Sequence, residues 1–285
     1  MTILYVHRVV PDPCGIQAVG PDRCNAISLG AFEELLEHLG NCLCDWRTVL
    51  DGMHGARPDA ARVGLTFDDA YADFEDVALP VLERHGIRVL LFVTSMFAEQ
   101  ALVPYEYAIA ELARRCPDVL LPREFETCGE VEGAHERYRC IVGRMKRMRP
   151  RTRARFVRDL LNLNGVAEQQ MTTPRMLSWP RLKHLVDHPL VDIGVHTATH
   201  PYLPALNARE AWMEIAGAKR AVERRLGRTS TCFAYPYGAN GRRDRWLARM
   251  AGFENAFSTS PNSKGRMAIG RIDVRDWIGG ARRGG

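Results

Sequence analysis

Two adjacent carboxylates, Asp68 and Asp69, and two histidines four residues apart, His196 and His200, are the residues of this 285-residue chain whose types and spacing could do chemistry. Side-by-side carboxylates repel each other unless a cation or a proton separates their charges. Two imidazoles with one carboxylate form a common donor set for a divalent ion, and that set leaves positions open for water and substrate. Each half has a plainer reading. An Asp-Asp pair also fits a helix N-cap beside a solvated carboxylate, and a single histidine fits packing. The two pairs occurring together raise metal binding above those readings.

The surrounding elements determine whether these residues can meet. Residues 62–67 are apolar and β-branched enough for a short buried strand, and Phe74, Val77, Ala78, Val81 and Leu82 follow at spacings of three and four, which predicts an amphipathic helix. Asp68 and Asp69 then stand at the C-terminal end of a strand, the rim where α/β folds build sites. His196 and His200 have helical spacing. The apolar run 190–195 before them and Pro201 after them favour a strand end and loop instead. A first strand over residues 3–6 delivers His7 and Arg8 to a similar place, before the turn residues Pro11, Asp12 and Pro13.

The rest of the chain alternates in the same way. Ser28 is placed to cap a helix with Phe32, Leu35, Leu36 and Leu39 on its buried stripe, ended by Gly40; residues 51–58 read as loop. Gly86 closes the next helix, and residues 87–93 form a nearly continuous apolar strand of the parallel-sheet kind. From 94 to 177 helical segments appear (105–115, 138–148, 153–163) without a convincing strand, which predicts a helical insertion at about 95–177 lying across the mouth of the fold. The rhythm resumes with a helix over 179–187, a helix over 208–226 between Asn207 and Gly227, and a strand over 231–234 running into Tyr235-Pro236-Tyr237-Gly238. A helix over 242–250 and strands over 256–258 and 268–272 complete one expected domain, residues 1–278, with a disordered tail at 279–285. No internal repeat is present.

With 46% hydrophobic and 26% charged residues, the composition is that of an ordinary globular protein, and no run has the apolar length needed to cross a bilayer. The N-terminus shows no basic region followed by an apolar one, so the expected compartment is the cytoplasm, where the eight cysteines would stay reduced; their spacings match no zinc motif. A dense run of cations, Arg144 to Arg158 with Lys146, Arg147, Arg149, Arg151, Arg153 and Arg155, reads first as a solvated helix face and second as a patch for an anionic carrier such as a nucleotide or lipid pyrophosphate. No aromatic residues are interleaved between Arg144 and Arg155, which argues against nucleic acid as a partner.

Thr66-Phe67-Asp68-Asp69-Ala70-Tyr71, His196-Thr197-Ala198-Thr199-His200 and Phe233-Ala234-Tyr235-Pro236-Tyr237-Gly238, in that order, resemble the first three motifs of the polysaccharide deacetylase family, carbohydrate esterase family 4. The resemblance covers about residues 1–95 and 175–275. It implies an α/β fold, a distorted (β/α) barrel with fewer than eight full repeats, and hydrolysis of an N-acetyl group on an amino sugar. It also implies that Asp69, His196 and His200 hold a divalent ion, zinc being expected, that Asp68 is the general base, and that the Tyr237 N–H receives the oxyanion. Tyr71, Tyr235, Pro236 and Arg271 are the expected substrate contacts.

Two departures stand out. Ala234 occupies a position where the family often carries an Arg that orients the base, and Arg271 or Asp273 could supply those contacts instead. The family's C-terminal general-acid histidine has no counterpart, since the last histidine here is His200. Tyr5-Val6-His7-Arg8 resembles the N-terminal segment of a permuted branch, which makes His7 the expected acid. The expected activity is that of a cytoplasmic metal-dependent N-deacetylase acting on an acetylamino sugar, nucleotide-linked or lipid-linked rather than finished polymer. The alternatives are a non-sugar amide or cyclic-imide hydrolase of the same superfamily and a non-catalytic glycan-binding relative.

Overall fold

Apolar runs of two to five residues recur along the chain and become strands. They are β1 (Thr2–Val6), β2 (Arg8–Val10), β3 (Ala26–Ser28), β4 (Val63–Phe67), β5 (Val89–Val93), β6 (Val191–Val195), β7 (Cys232–Ala234), β8 (Asn255–Ser258), β9 (Ile269–Gly270) and β10 (Ile272–Asp273). The computed structural model describes residues 1–11, 19–55, 62–102, 104–115, 119–167, 175–263 and 265–281. Asp12 and Pro13 of the expected turn, Cys14, Cys116 and residues 282–285 of the expected tail lie outside the described residues.

Eight strands form one parallel sheet in the order β10-β1-β4-β5-β6-β7-β8-β9. Only Arg271 separates β9 from β10, and β9 pairs with β8 while β10 pairs with β1. The sheet therefore nearly closes on itself through one bent stretch, giving a distorted (β/α) barrel. Strand alternation sorts the side chains. Leu4, Val6, Leu65, Phe67, Leu91, Val93, Val195 and Phe233 face outward onto the helices, and Ile3, Leu90, Phe92, Cys232, Ala234 and Phe257 fill the interior with Trp46. Gly194 fits this packing: a Cβ there would come within 2.5 Å of the Phe92 ring.

The caps follow the sequence signals. The Ser28 side chain accepts from the Ala31 N–H, Asn207 forms a capping box with Glu210, and Gly86 and Gly227 are left-handed at helix ends. Other expectations are corrected. Residues 51–54 are not loop but the end of the helix Trp46–His54, which Asp45 caps. The helix after Asp69 opens with a π-type turn, Phe74–Ala78, before Leu79–His85. Residues 279–281 of the expected tail complete the helix Val274–Ala281. A small second sheet, β2 with β3, is too short to stand out as a period-two pattern.

The 95–177 region carries the helices Ser95–Ala98, Tyr105–Arg115, Glu126–Gly129, Ala134–Met145 and Pro150–Leu163, and no strand among its described residues. Ile109, Leu112, Phe125, Ile141, Met145 and Leu160 give it an apolar core of its own. Cys128 and Cys140 are joined there by a disulfide, so the expectation of uniformly reduced thiols does not hold for this pair.

Candidate active site

Strain is concentrated at the C-terminal rim of the barrel. Asp69, Ala70, Thr197, His200 and Tyr237 all have left-handed backbones at the ends of β4, β6 and β7, a conformation that side chains with a Cβ rarely adopt. The turn after β7 places Gly238 against Thr259, where a Cβ would come within 2.4 Å of the Thr259 backbone nitrogen.

Asp69, His196 and His200 each offer one ligand atom, and these atoms lie within 4.8 Å of one another. Asp69 Oδ1 is 3.7 Å from His196 Nε2 and 3.5 Å from His200 Nε2, and this buried oxygen has no hydrogen-bond partner. The His196 Nδ1 is 2.8 Å from the Ala234 carbonyl oxygen. A carbonyl only accepts, so Nδ1 carries the proton and Nε2 presents its lone pair. Burial lowers the His196 pKa to about 4 and drives His200 well below its ordinary value, keeping both imidazoles neutral. An unpartnered carboxylate oxygen facing two neutral imidazoles fits a divalent cation.

The neighbouring carboxylate has a different partner. Burial alone would raise the Asp68 pKa, but the Arg271 guanidinium overcomes that effect and holds it at about 2. Arg271 donates from Nη1 to Asp68 Oδ1 (2.7 Å) and from Nη2 to Oδ2 (2.8 Å), and Nη1 also donates to Thr66 Oγ1. The guanidinium is fully buried and lies over Tyr5, Phe92 and Phe257 at 5.1, 5.3 and 5.9 Å. Asp69 behaves oppositely: burial, then the adjacent Asp68 and Glu106, push its pKa well above the usual carboxylate range. The cation that separates the two charges on the Asp68 side is therefore Arg271.

The site cavity, about 340 Å³, is lined by Asp68, Asp69, His196 and His200 together with His7, Tyr71 and Tyr237. His7 extends from the end of β1, its ring 5.5 Å from that of Tyr5. Burial lowers its pKa, while Asp68 and Asp273 oppose the shift. Three of the expected substrate contacts are placed elsewhere. Tyr235 is fully buried, and its hydroxyl donates to the Met267 carbonyl, which removes it from the cavity. Pro236 is buried outside the lining, and Arg271 lies beneath Asp68.

The insertion supplies Glu106, which the sequence analysis did not identify, and Lys146 and Arg153, which it placed in a charged run without assigning them to this site. Tyr237 donates its hydroxyl to Glu106 Oε1 (2.8 Å), and Lys146 lies 4.2 Å over the Tyr237 ring and 5.3 Å from that of Tyr202. Arg153, expected on a solvated face, is buried and donates to the carbonyls of Thr199 and His200. Below the His196–His200 loop, Glu214 accepts from the N–H groups of Ala198 and Thr199 and from the Thr199 hydroxyl. Its sequence signal is an acid on the buried stripe of Ala211, Ile215, Ala218 and Val222. Arg8 is a strut: it donates to Asp73 and Asp22, and Tyr107 of the insertion donates to the same Asp22 oxygen.

The fold has counterparts among solved proteins. The structure is similar to the deacetylase PplD of Streptococcus pyogenes, solved with acetate (TM-score 0.60, 15% identity, covering 96% of this chain and 92% of that one). It is also similar to IcaB from Ammonifex degensii (TM-score 0.61, 21% identity, 99% and 95% covered) and to the BpsB deacetylase domain from Bordetella bronchiseptica (TM-score 0.56, 15% identity, 96% and 95% covered). No curated protein matches the sequence. The polysaccharide deacetylase family profile matches residues 55–256, which is most of the chain and includes the strand ends bearing Asp68, Asp69, His196, His200 and Tyr237. The chain belongs to the polysaccharide deacetylase family.

Proposed function

We propose that this protein is a metal-dependent N-deacetylase that hydrolyses the acetamido group of an amino sugar in a glycan or glycan precursor. The observation that carries this reading is the division between neighbouring carboxylates. Asp68 is ionised and aimed by the Arg271 fork, while Asp69 turns an unpartnered oxygen toward two neutral imidazoles. A divalent ion held by Asp69, His196 and His200, zinc by our reading, would supply Lewis-acid polarisation of the amide carbonyl and a lowered pKa for water.

The other steps belong to the chain's own groups. Asp68, fixed in position and ionised at neutral pH, takes the proton of the attacking water. The Tyr237 N–H donates to the amide oxygen as negative charge develops there, and the Tyr237 hydroxyl bond to Glu106 holds that turn still. An amine leaves an amide only once its nitrogen is protonated, and His7, on the same cavity wall, is the proposed donor. Tyr71 supplies an aromatic wall for the sugar. We read residues 1–278 as one barrel domain with the insertion as its cap.

No helix among the described residues is long and apolar enough to cross a membrane. A cytoplasmic location remains our proposal, and the Cys128–Cys140 disulfide weighs against it, because cytosolic thiols are kept reduced. The functional test is acetate release from N-acetylhexosamines presented free, nucleotide-linked and as oligomers, using zinc-reconstituted wild type and Asp68→Asn. Release by wild type and loss in the variant supports the assignment. No release from any member, with zinc bound, would transfer it to a non-sugar amide or cyclic-imide hydrolase or to a non-catalytic glycan-binding relative.

A further inference from the structure

Beside the site cavity lies a second cavity of about 440 Å³. Phe97, Pro104, Glu106 and His200 line both, so the two cavities adjoin at His200. One wall of the second cavity is the helix Pro150–Leu163, which brings Arg151, Arg153 and Arg158 to it. Arg153 is buried: Nη2 donates to the carbonyls of Thr199 (3.3 Å) and His200 (3.4 Å), the guanidinium lies 4.2 Å over Tyr105, and Nη1 has no partner. Arg151 and Arg158 are exposed and make no ion pair among the described residues.

The charges of this cavity do not cancel among the described residues that line it. Among its described lining residues Glu106 is the one acid, and its carboxylate already accepts the Tyr237 hydroxyl. Three guanidinium groups against one carboxylate leave a net charge of about +2. Met96, Ala101 and Leu102 add apolar surface and offer no competing anion. A buried guanidinium nitrogen without a partner is costly, and a ligand that brings the anion removes that cost. Guanidinium forks match phosphate oxygens, and a diphosphate diester carries the charge that this wall lacks.

We infer that this second cavity is a diphosphate subsite, so that the substrate is an acetamido sugar carried on a diphosphate rather than a neutral polymer. The inference rests on the deacetylase reading and deepens it: the acetamido group sits at the Asp69-His196-His200 centre while Arg151, Arg153 and Arg158 hold the phosphoryl oxygens. Two carriers share that chemistry, a nucleoside diphosphate and a polyprenyl diphosphate. A neutral glycoside would leave the three cations unanswered, and a sugar uronate would supply one charge for three arginines.

The test combines turnover with binding on the zinc-loaded protein. Acetate release is measured for the methyl glycoside of N-acetylglucosamine, its uronate analogue, uridine diphosphate N-acetylglucosamine and a polyprenyl-diphosphate-linked sugar, with wild type and with the double variant Arg151→Gln/Arg158→Gln. Arg153 is left in place because it also holds the His200 loop. We expect kcat/KM for a diphosphate-linked substrate to exceed that for the methyl glycoside by about a hundredfold, and the double variant to lose most of that ratio, at about tenfold per charge-assisted contact. The preferred diphosphate identifies the carrier as nucleotide or lipid. Separately, inorganic pyrophosphate binding by calorimetry should weaken at least tenfold in the double variant and persist in Asp69→Ala.

Equal kcat/KM for the neutral and diphosphate-linked substrates overturns the inference, as does preference for the uronate. Pyrophosphate binding that vanishes in Asp69→Ala but survives in the double variant also overturns it, because the anion then sits on the metal. If no sugar is deacetylated yet pyrophosphate binding depends on Arg151 and Arg158, the subsite stands and the deacetylase reading fails.

Discussion

Replacing Arg271 by Met tests whether one buried cation orients the base. In the wild type Asp68 titrates at about 2 against an ordinary value of 3.8, a net shift of about two units despite burial, which pushes the other way. Two units correspond to on the order of 2–3 kcal/mol, and the guanidinium contribution exceeds this because it also offsets the desolvation of the carboxylate. Arg271→Met leaves a buried, uncompensated carboxylate and a Thr66 hydroxyl without its donor, so the expected destabilisation at pH 7 is about 3–5 kcal/mol. The sign with pH follows from linkage. Because the folded-state pKa of Asp68 is depressed, its stabilising effect is fully present above about 3.8 and is lost as pH falls through about 2. Urea unfolding should therefore show a wild-type advantage at neutral pH that narrows as pH falls, first through the raised pKa that burial alone gives Asp68 in the variant and then through about 2 in the wild type. In parallel, the acid limb of kcat/KM in Arg271→Met should move to higher pH, because burial alone then sets the Asp68 pKa. Arg271→Lys, which keeps the charge but not the fork, should fall between the two. Unchanged unfolding at pH 7 together with an unmoved acid limb would refute the reasoning.

Asp69→Ala and His200→Ala should each reduce zinc, measured by elemental analysis after gel filtration, from about one per chain to near zero, and chelator-treated wild type should match their inactivity. His7→Ala should keep its zinc and lose about 10²–10⁴ in kcat. Because burial lowers the His7 pKa and an acid acts only while protonated, the alkaline limb of the wild-type profile should fall below the ordinary histidine range and be absent from the residual rate. Glu214→Ala strips a carboxylate from two N–H groups and a hydroxyl, and should weaken zinc affinity about 10–100-fold without touching a ligand. Thiol titration of denatured, unreduced protein should count no more than six of the eight cysteines, rising to eight after reduction, if the Cys128–Cys140 bond forms in the native protein.

Local signals were legible where one stretch held all the information. Ser28, Asn207, Gly86 and Gly227 mark their helix ends because a cap depends on residues within one turn. The Asp68-Asp69 rim and the His196–His200 loop were legible because apolar strand runs precede them. The helix Trp46–His54 escaped because Asp51 and Gly52 imitate a loop, and β2 and β3 because three residues cannot display a period of two.

Partnerships across the sequence were the least visible. Arg271 reaches Asp68 across 203 residues only because the last strand bends to close the barrel, so its charge reads equally well as a substrate contact. Tyr235 reads as a site residue from its motif, yet strand alternation turns its ring into the core. Glu106, Lys146 and Arg153 lie in a run of helices that pack on one another, and no periodicity shows that one edge of that packing overhangs the site. The arginine cluster is mostly solvated, with Arg153 buried and Lys146 partly so, a division that charge counting cannot make.

The central claim is that Asp68 activates water against an acetamido carbonyl at the Asp69-His196-His200 centre. The most direct measurement is single-turnover acetate release from N-acetylglucosamine substrates in oxygen-18 water, comparing zinc-loaded wild type with zinc-loaded Asp68→Asn. The account predicts one heavy oxygen in the acetate from wild type and a rate at least a hundredfold lower for Asp68→Asn at equal zinc content. Acetate formed at comparable rates by both proteins would contradict it.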